Sequence, residues 1–133
     1  MELMKAKDAT ARDIHRLVDS NKSIDTEKLY QTGYVIKQAD HLEGCFVLEK
    51  MENNTLWLRQ MFVTKEAVIS LPGLLEAVLA LAKNEEADNV IIHSHQVELD
   101  IVLEALQFFP QTDATYVDNS VDIPGKWWAY KVS

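Results

Sequence analysis

The hydrophobic pattern of this chain changes period at Val63, and no other feature constrains the fold as tightly. Before that point lie three extended runs, Tyr34 to Gln38, Gly44 to Met51 and Thr55 to Val63. In the third, Leu56, Leu58, Gln60 and Phe62 share one face, while Trp57, Arg59, Met61 and Val63 share the other. Both faces are mostly apolar, as in a central strand covered on both sides. Asn53-Asn54 is a turn signal between the second and third runs, so the three read as an antiparallel meander. After Val63 the period becomes 3.6: Leu71, Leu74, Leu75, Val78, Leu79 and Ala82 form one stripe of a helix that Ser70 can cap. Pro72 is tolerated in its first turn.

The remaining segments complete the order. Residues 2–7 alternate loosely and read as a first strand. Thr10 and Asp13 form a capping-box pattern ahead of Ile14, Leu17 and Val18, which share a helix face. Asp25 caps a second, short helix ending at Gly33. Val90-Ile91-Ile92, within Asp88 to His95, is a buried-strand signal. Val97 to Phe109 reads as a helix with Ile101, Val102, Ala105 and Phe109 on its buried face, stopped by Pro110. Two strands, Ala114 to Val117 and Lys126 to Val132, close the chain, with a turn over Asp122 to Gly125. Trp127 and Trp128 are adjacent on a strand and point to opposite faces, so one of them is expected at a surface. The order β α α β β β α β α β β predicts a mixed α/β sheet with helices on both faces, in a single domain over residues 1–133.

Composition narrows the function classes. The chain carries 13 Lys+Arg against 21 Asp+Glu, a net charge of −8, which disfavours a nucleic-acid partner. Cys45 is the only cysteine, so no internal disulfide or multi-cysteine metal site can form. Its setting, Gly44-Cys45-Phe46-Val47-Leu48, reads as strand interior. No apolar stretch follows the charged residues at the N-terminus, and the longest apolar run, Ala77 to Ala82, is too short to cross a bilayer. A cytoplasmic protein with no membrane partner is expected.

This order of elements resembles the GNAT superfamily of acyl-CoA-dependent N-acetyltransferases over essentially the whole chain. Leu58-Arg59-Gln60-Met61-Phe62-Val63 looks like that family's fourth strand, and Leu74-Leu75-Glu76-Ala77 looks like the body of its cofactor helix. Asp88-Asn89-Val90-Ile91-Ile92-His93 looks like its fifth strand. Glu104-Ala105-Leu106-Gln107-Phe108 is similar to the end of its next helix. The resemblance implies a mostly antiparallel sheet with a central, splayed parallel pair. It implies acetyl-CoA as cofactor, with the thioester held by backbone at Met61, Phe62 and Val63. Further contacts would come from Ser70, Leu71, Gly73 and Leu74 at the helix start and from Gln96, where the family often has Asn. An amine, on a small molecule or a protein, would attack the thioester directly. Glu49 and His93 are the candidates for general base.

Two positions depart from the family pattern. The pyrophosphate loop is usually rich in Gly and Arg. Here it reads Thr-Lys-Glu-Ala-Val-Ile-Ser-Leu-Pro-Gly, which is shorter, lacks Arg and keeps only Gly73. Val68 and Ile69 put bulk where backbone would approach a phosphate, and Pro72 lacks an amide. Hydrogen bonds to a charged group contribute about 1.5–3 kcal/mol each. Losing two lowers affinity by roughly a hundred- to ten-thousand-fold. Ser70, Gly73 and Lys65 are the residues left to compensate. The second departure is Leu103, at the family's proton-donating Tyr position. The sequence therefore supports two functions: an N-acetyltransferase, or a binding or regulatory module that kept the fold and lost acetyl-CoA binding.

Other groups have simpler readings. His93-Ser94-His95 places two imidazoles on one side of a strand end, but no third metal ligand is fixed by spacing. Glu49 and Glu52 follow an apolar strand. Arg59 lies inside one and needs a partner, for which Glu49 is the nearest candidate. The Trp-rich last strand suggests a homodimer contact.

Overall fold

The computed structural model describes residues 2–19, 21, 24–94, 96–111 and 125–132. Seven strands among them are hydrogen-bonded in the order β1 (Glu2–Lys5), β2 (Gly33–Gln38), β3 (His41–Met51), β4 (Thr55–Val63), β5 (Asn89–Ser94), β7 (Lys126–Lys131), β6 (Phe109–Gln111). The described residues cluster into two compact units, Met1–Glu49 with Arg59–Leu71, and Lys50–Leu58 with Pro72–Ser133.

In the first unit, β1 (Glu2–Lys5) pairs antiparallel with β2 (Gly33–Gln38), which pairs antiparallel with β3 (His41–Met51). The first strand is shorter than its alternation predicts, because a 3-10 turn over Ala6–Asp8 tucks Ala6 into the core. The strand β3 starts earlier than its apolar run, since Ala39 and Asp40 turn the chain in two residues at φ 51° and 65°. Two successive positive φ values match the right-handed twist of the flanking strands. The helix α1 (Ala11–Asp19) begins where Asp13 N–H donates to Thr10 Oγ1 at 3.2 Å. In α2 (Thr26–Thr32), Lys28 N–H donates to the Asp25 cap at 3.3 Å, and Gly33 ends the helix. Both capping expectations hold. Ile14, Leu17, Leu29, Val35, Cys45 and Val47 form the core of this unit, with Val18 against it. Gly44 is required by proximity, since a Cβ there would sit 2.5 Å from the Phe62 carbonyl oxygen.

In the second unit the β3–β4 turn puts Asn53 and Asn54 at φ 60° and 55°, as the Asn-Asn pair predicts. The first part of β4 (Thr55–Val63) runs parallel to β5 (Asn89–Ser94), with Thr55 to Leu58 opposite Asn89 to Ile92. β5 pairs antiparallel with β7 (Lys126–Lys131), which also pairs with β6 (Phe109–Gln111). Pro110 lies inside β6, the outermost strand in the order, where a missing amide is tolerated. The expected strand Ala114 to Val117, and its turn up to residue 124, lie outside the described residues.

The helix α3 (Leu71–Asn84) buries Leu71, Leu74, Leu75, Val78 and Ala82, as its stripe predicts. The helix α4 (Val97–Ala105) corrects two expectations. It ends at Ala105 rather than Phe109, and it buries Leu99 and Leu103, while Ile101 and Phe109 are 63% and 66% exposed. Glu98, Asp100 and Glu104 interrupt the apolar residues on more than one side of this helix, so periodicity gives no single answer, which explains the misassigned face. Its early stop is a left-handed cap: Gln107 has φ 70°, Gln107 N–H bonds Glu104 C=O, and Phe108 N–H bonds Leu103 C=O. Helix α3 ends in the same way, with Glu86 at φ 59°, Glu86 N–H to Lys83 C=O and Ala87 N–H to Ala82 C=O.

The tryptophan expectation is also corrected, because both are buried. Trp127 packs with Trp57 and Ile91, and Trp128 Nε1–H donates to Asp100 Oδ1 at 2.9 Å.

A non-glycine residue in the left-handed region costs about 1–2 kcal/mol. Part of that relief is cancelled by the extra freedom glycine gives the unfolded chain. Glu86→Gly is therefore expected to stabilise the protein by about 0.5–1 kcal/mol, read as a higher urea midpoint at unchanged slope.

Candidate functional site

The strand β4 changes character at Arg59. Thr55 to Leu58 are buried, whereas Arg59 to Val63 are all partly exposed. At the second residue of the exposed stretch, Gln60 takes φ 54°, a left-handed residue inside a strand. Such a residue throws the strand out of phase and bends it. The strict two-face alternation expected for this run is therefore broken at Gln60, and the ladder with β5 stops at Leu58. Met61, Phe62 and Val63 follow the bend.

Three contacts hold the bend. Asp25 N–H donates to Gln60 Oε1 at 2.6 Å, and Cys45 S–H donates to the Gln60 carbonyl at 3.9 Å. Arg59 Nη1 donates to Glu49 Oε2 at 2.6 Å, while Glu49 Oε1 lies 3.5 Å from Lys28 Nζ. The expected Arg59–Glu49 ion pair is present. Both oxygens of the candidate base Glu49 thus face cations. Sequence reasoning did not single out Gln60, although a polar Arg-Gln pair inside an apolar run was the available signal.

The segment after β4 bends back on itself. Thr64 N–H bonds Glu43 C=O at 2.9 Å, and Thr64 Oγ1 donates to the Glu43 carboxylate. Ala67 N–H bonds Thr64 C=O and Ser70 N–H bonds Ala67 C=O, leading into a 3-10 turn over Val68–Ser70. Leu71 N–H bonds Val68 C=O. Of the residues expected to touch cofactor here, Ser70 and Leu71 already spend their amides within the chain. Leu71 and Leu74 bury their side chains, and Gly73 is exposed. Ile69 is 85% exposed, so the segment shows solvent an aliphatic side chain where a phosphate would need donors.

In the second unit, His93 is half-buried with its ring 5.1 Å from that of Trp127, edge to face. Gly125 lies so close that a Cβ there would come 2.8 Å from His93 Cε1. His95, the other imidazole of the proposed pair, lies outside the described residues. Among the described residues no group of three or more His, Cys, Asp or Glu is placed to hold a metal. Gln96 is exposed at the start of α4, where its N–H bonds Ser94 Oγ at 3.4 Å. Leu103 is fully buried in the core. Cys45 is buried too, and that burial pushes its thiol from 9.0 up to about 12. It is a core residue, not a nucleophile.

No family model matches this sequence, and no curated protein matches it. Solved structures do. A GNAT-family acetyltransferase from Staphylococcus aureus Mu50 superposes with a TM-score of 0.76 at 13% identity, covering 99% of each chain. A Bacillus subtilis acetyltransferase in complex with CoA gives 0.72 at 19% identity, over 98% of this chain and 96% of that one. N-acetylglutamate synthase from Neisseria gonorrhoeae, complexed with coenzyme A and N-acetyl-glutamate, gives 0.78 at 11% identity. This chain covers 35% of that synthase. The architecture is therefore the GNAT fold. It has a mostly antiparallel mixed sheet with β4 and β5 as its parallel pair. No helix among the described residues is long and apolar enough to cross a membrane.

Two outcomes follow for the site. Leu103→Tyr should not install an acid: overpacking a filled core is expected to lower stability by about 1–3 kcal/mol, measured by urea unfolding. Native Cys45 should resist a thiol reagent at pH 8 and react fully on denaturation. Because the thiol is neutral in the fold and ionises more easily when unfolded, stability should fall as pH rises from 9.0 towards about 12. Cys45→Ala should flatten that decline.

Proposed function

We propose that the chain is an acetyl-CoA-dependent N-acetyltransferase acting on an amine, with weak hold on the nucleotide end of its acyl donor. The observation that carries this reading is the left-handed Gln60, which bends β4 so that Met61 to Val63 form a partly exposed run. Backbone there would bond the thioester carbonyl and stabilise the oxyanion as charge develops. When bound, acetyl-CoA would supply the acyl group: the amine nitrogen would take it at the carbonyl carbon as the C–S bond breaks, with CoA leaving as thiolate. The proton lost by the amine passes to a base or to water. Glu49, already facing Arg59 and Lys28, would act through its charge or through a water rather than as a free base. His93, packed against Trp127, is the alternative base. The solved CoA complexes of proteins with this fold support the same donor.

A second reading is favoured by the segment after β4. The amides of Thr64, Ala67, Ser70 and Leu71 are bonded within the chain, Pro72 has none, and Ile69 is exposed. A chain with those features fits a binding or regulatory module that no longer takes acetyl-CoA.

Calorimetric titration with acetyl-CoA separates the two. A transferase with a weakened nucleotide contact should bind in the micromolar to sub-millimolar range and release thiol when amines are added. Absence of binding at millimolar acetyl-CoA would end the transferase reading in favour of the module.

A further inference from the structure

The left-handed backbone at Gln60 is unfavourable on its own, and such strain persists where surrounding contacts over-determine it. Besides the Cys45 bond from β3 to the Gln60 carbonyl, two of these contacts lead to the start of α2. Asp25 caps α2 and donates its N–H to Gln60 Oε1, 35 residues further along the chain. Lys28, in the first turn of the same helix, faces Glu49, which holds Arg59 next to the bend. The bent residue and its predecessor are thus both tied to the first turn of α2.

We propose that Gln60 is a positioning residue: its side-chain amide fixes the bend of β4 to the cap of α2. The orientation of the Met61–Val63 backbone is thereby set by that helix. The proposal rests on the transferase reading for its purpose, since Met61 to Val63 are where the thioester would bind. The coupling itself is a property of the chain without any ligand. Gln60 touches no reacting atom in this scheme. It acts by holding the peptide groups that do.

The Asp25 bond uses a side-chain oxygen as acceptor, so the test separates that oxygen from the backbone angle. Gln60→Gly accepts positive φ without strain and deletes the oxygen. Gln60→Asn tolerates positive φ but is a methylene shorter, and it serves as a second deletion. Gln60→Glu keeps both length and acceptor and should rescue. Site-resolved amide exchange is measured on the free protein, with circular dichroism to confirm that each variant is folded. Gln60→Gly and Gln60→Asn should speed exchange about tenfold at Asp25 and also at Met61 to Val63, whereas Gln60→Glu should stay close to wild type. Faster exchange at Asp25 alone would overturn the proposal. So would a Gln60→Glu variant that behaves like Gln60→Gly. Acetyl-CoA titration is the second arm: Gln60→Gly should raise Kd about tenfold and Gln60→Glu should not. A wild-type protein that binds no acetyl-CoA would sink the transferase reading, and the exchange comparison would still decide the coupling.

Discussion

One backbone angle shapes this molecule's candidate chemistry. A central strand with both faces buried has no reason to open, and the first part of β4 conforms, with Thr55 to Leu58 buried and laddered to β5. At Gln60 the angle turns positive, and Met61 to Val63 after it are half-exposed. The neighbouring sequence is arranged around that turn. Gly44 is glycine because the Phe62 carbonyl comes too near for a Cβ, and Cys45 spends its weak donor on the Gln60 carbonyl. Arg59, half-buried, is neutralised by Glu49 across the strand pair. A half-buried cation is less favourable without that carboxylate, and the pair stands next to the bend.

The two ends of the would-be donor site have diverged. Under the transferase reading, the strand end is where Met61 to Val63 would present their backbone to the thioester. The connection into α3 has turned inward: its amides close short turns on their own carbonyls, and Thr64 is bonded twice to Glu43. An amide already bonded gains little by exchanging one acceptor for another. With a net charge of −8, the chain also offers a dianionic pyrophosphate no general attraction. The chemistry and the anchoring of an acyl donor are physically separable, and the transferase reading asks the strand end to serve only the former.

How far the residues announced this depends on the signal each carries. Asn53-Asn54 was readable because Asn tolerates the left-handed region, and the equivalent turn at Ala39-Asp40 was not, because Ala gives no such sign. The Arg59–Glu49 pair was readable from charge in an apolar run. The buried face of α4 was not, since Val97 and Ile101 are as apolar as Leu99 and Leu103 yet face solvent. Its end at Ala105 was hidden by Gln107, which fills a position normally marked by glycine. The bend at Gln60 was obscured for the same reason. The fold came through because hydrophobic period survives many substitutions; the bend at Gln60 did not, because it turns on a single backbone angle.

Glycine and its usual work are uncoupled in this chain. None of its four glycines has a positive φ, while Ala39, Asp40, Asn53, Asn54, Gln60, Glu86 and Gln107 all do among the described residues. Six of those seven lie in turns or at helix ends, and only Gln60 lies inside a strand. A lineage carrying this sequence therefore holds a reserve of single substitutions that relieve local strain without touching the β4 site. Such reserves widen the range of site mutations a protein survives, because the destabilising step can be offset elsewhere. The same left-handed residues that obscure the fold to a reader leave the molecule room to acquire a different specificity.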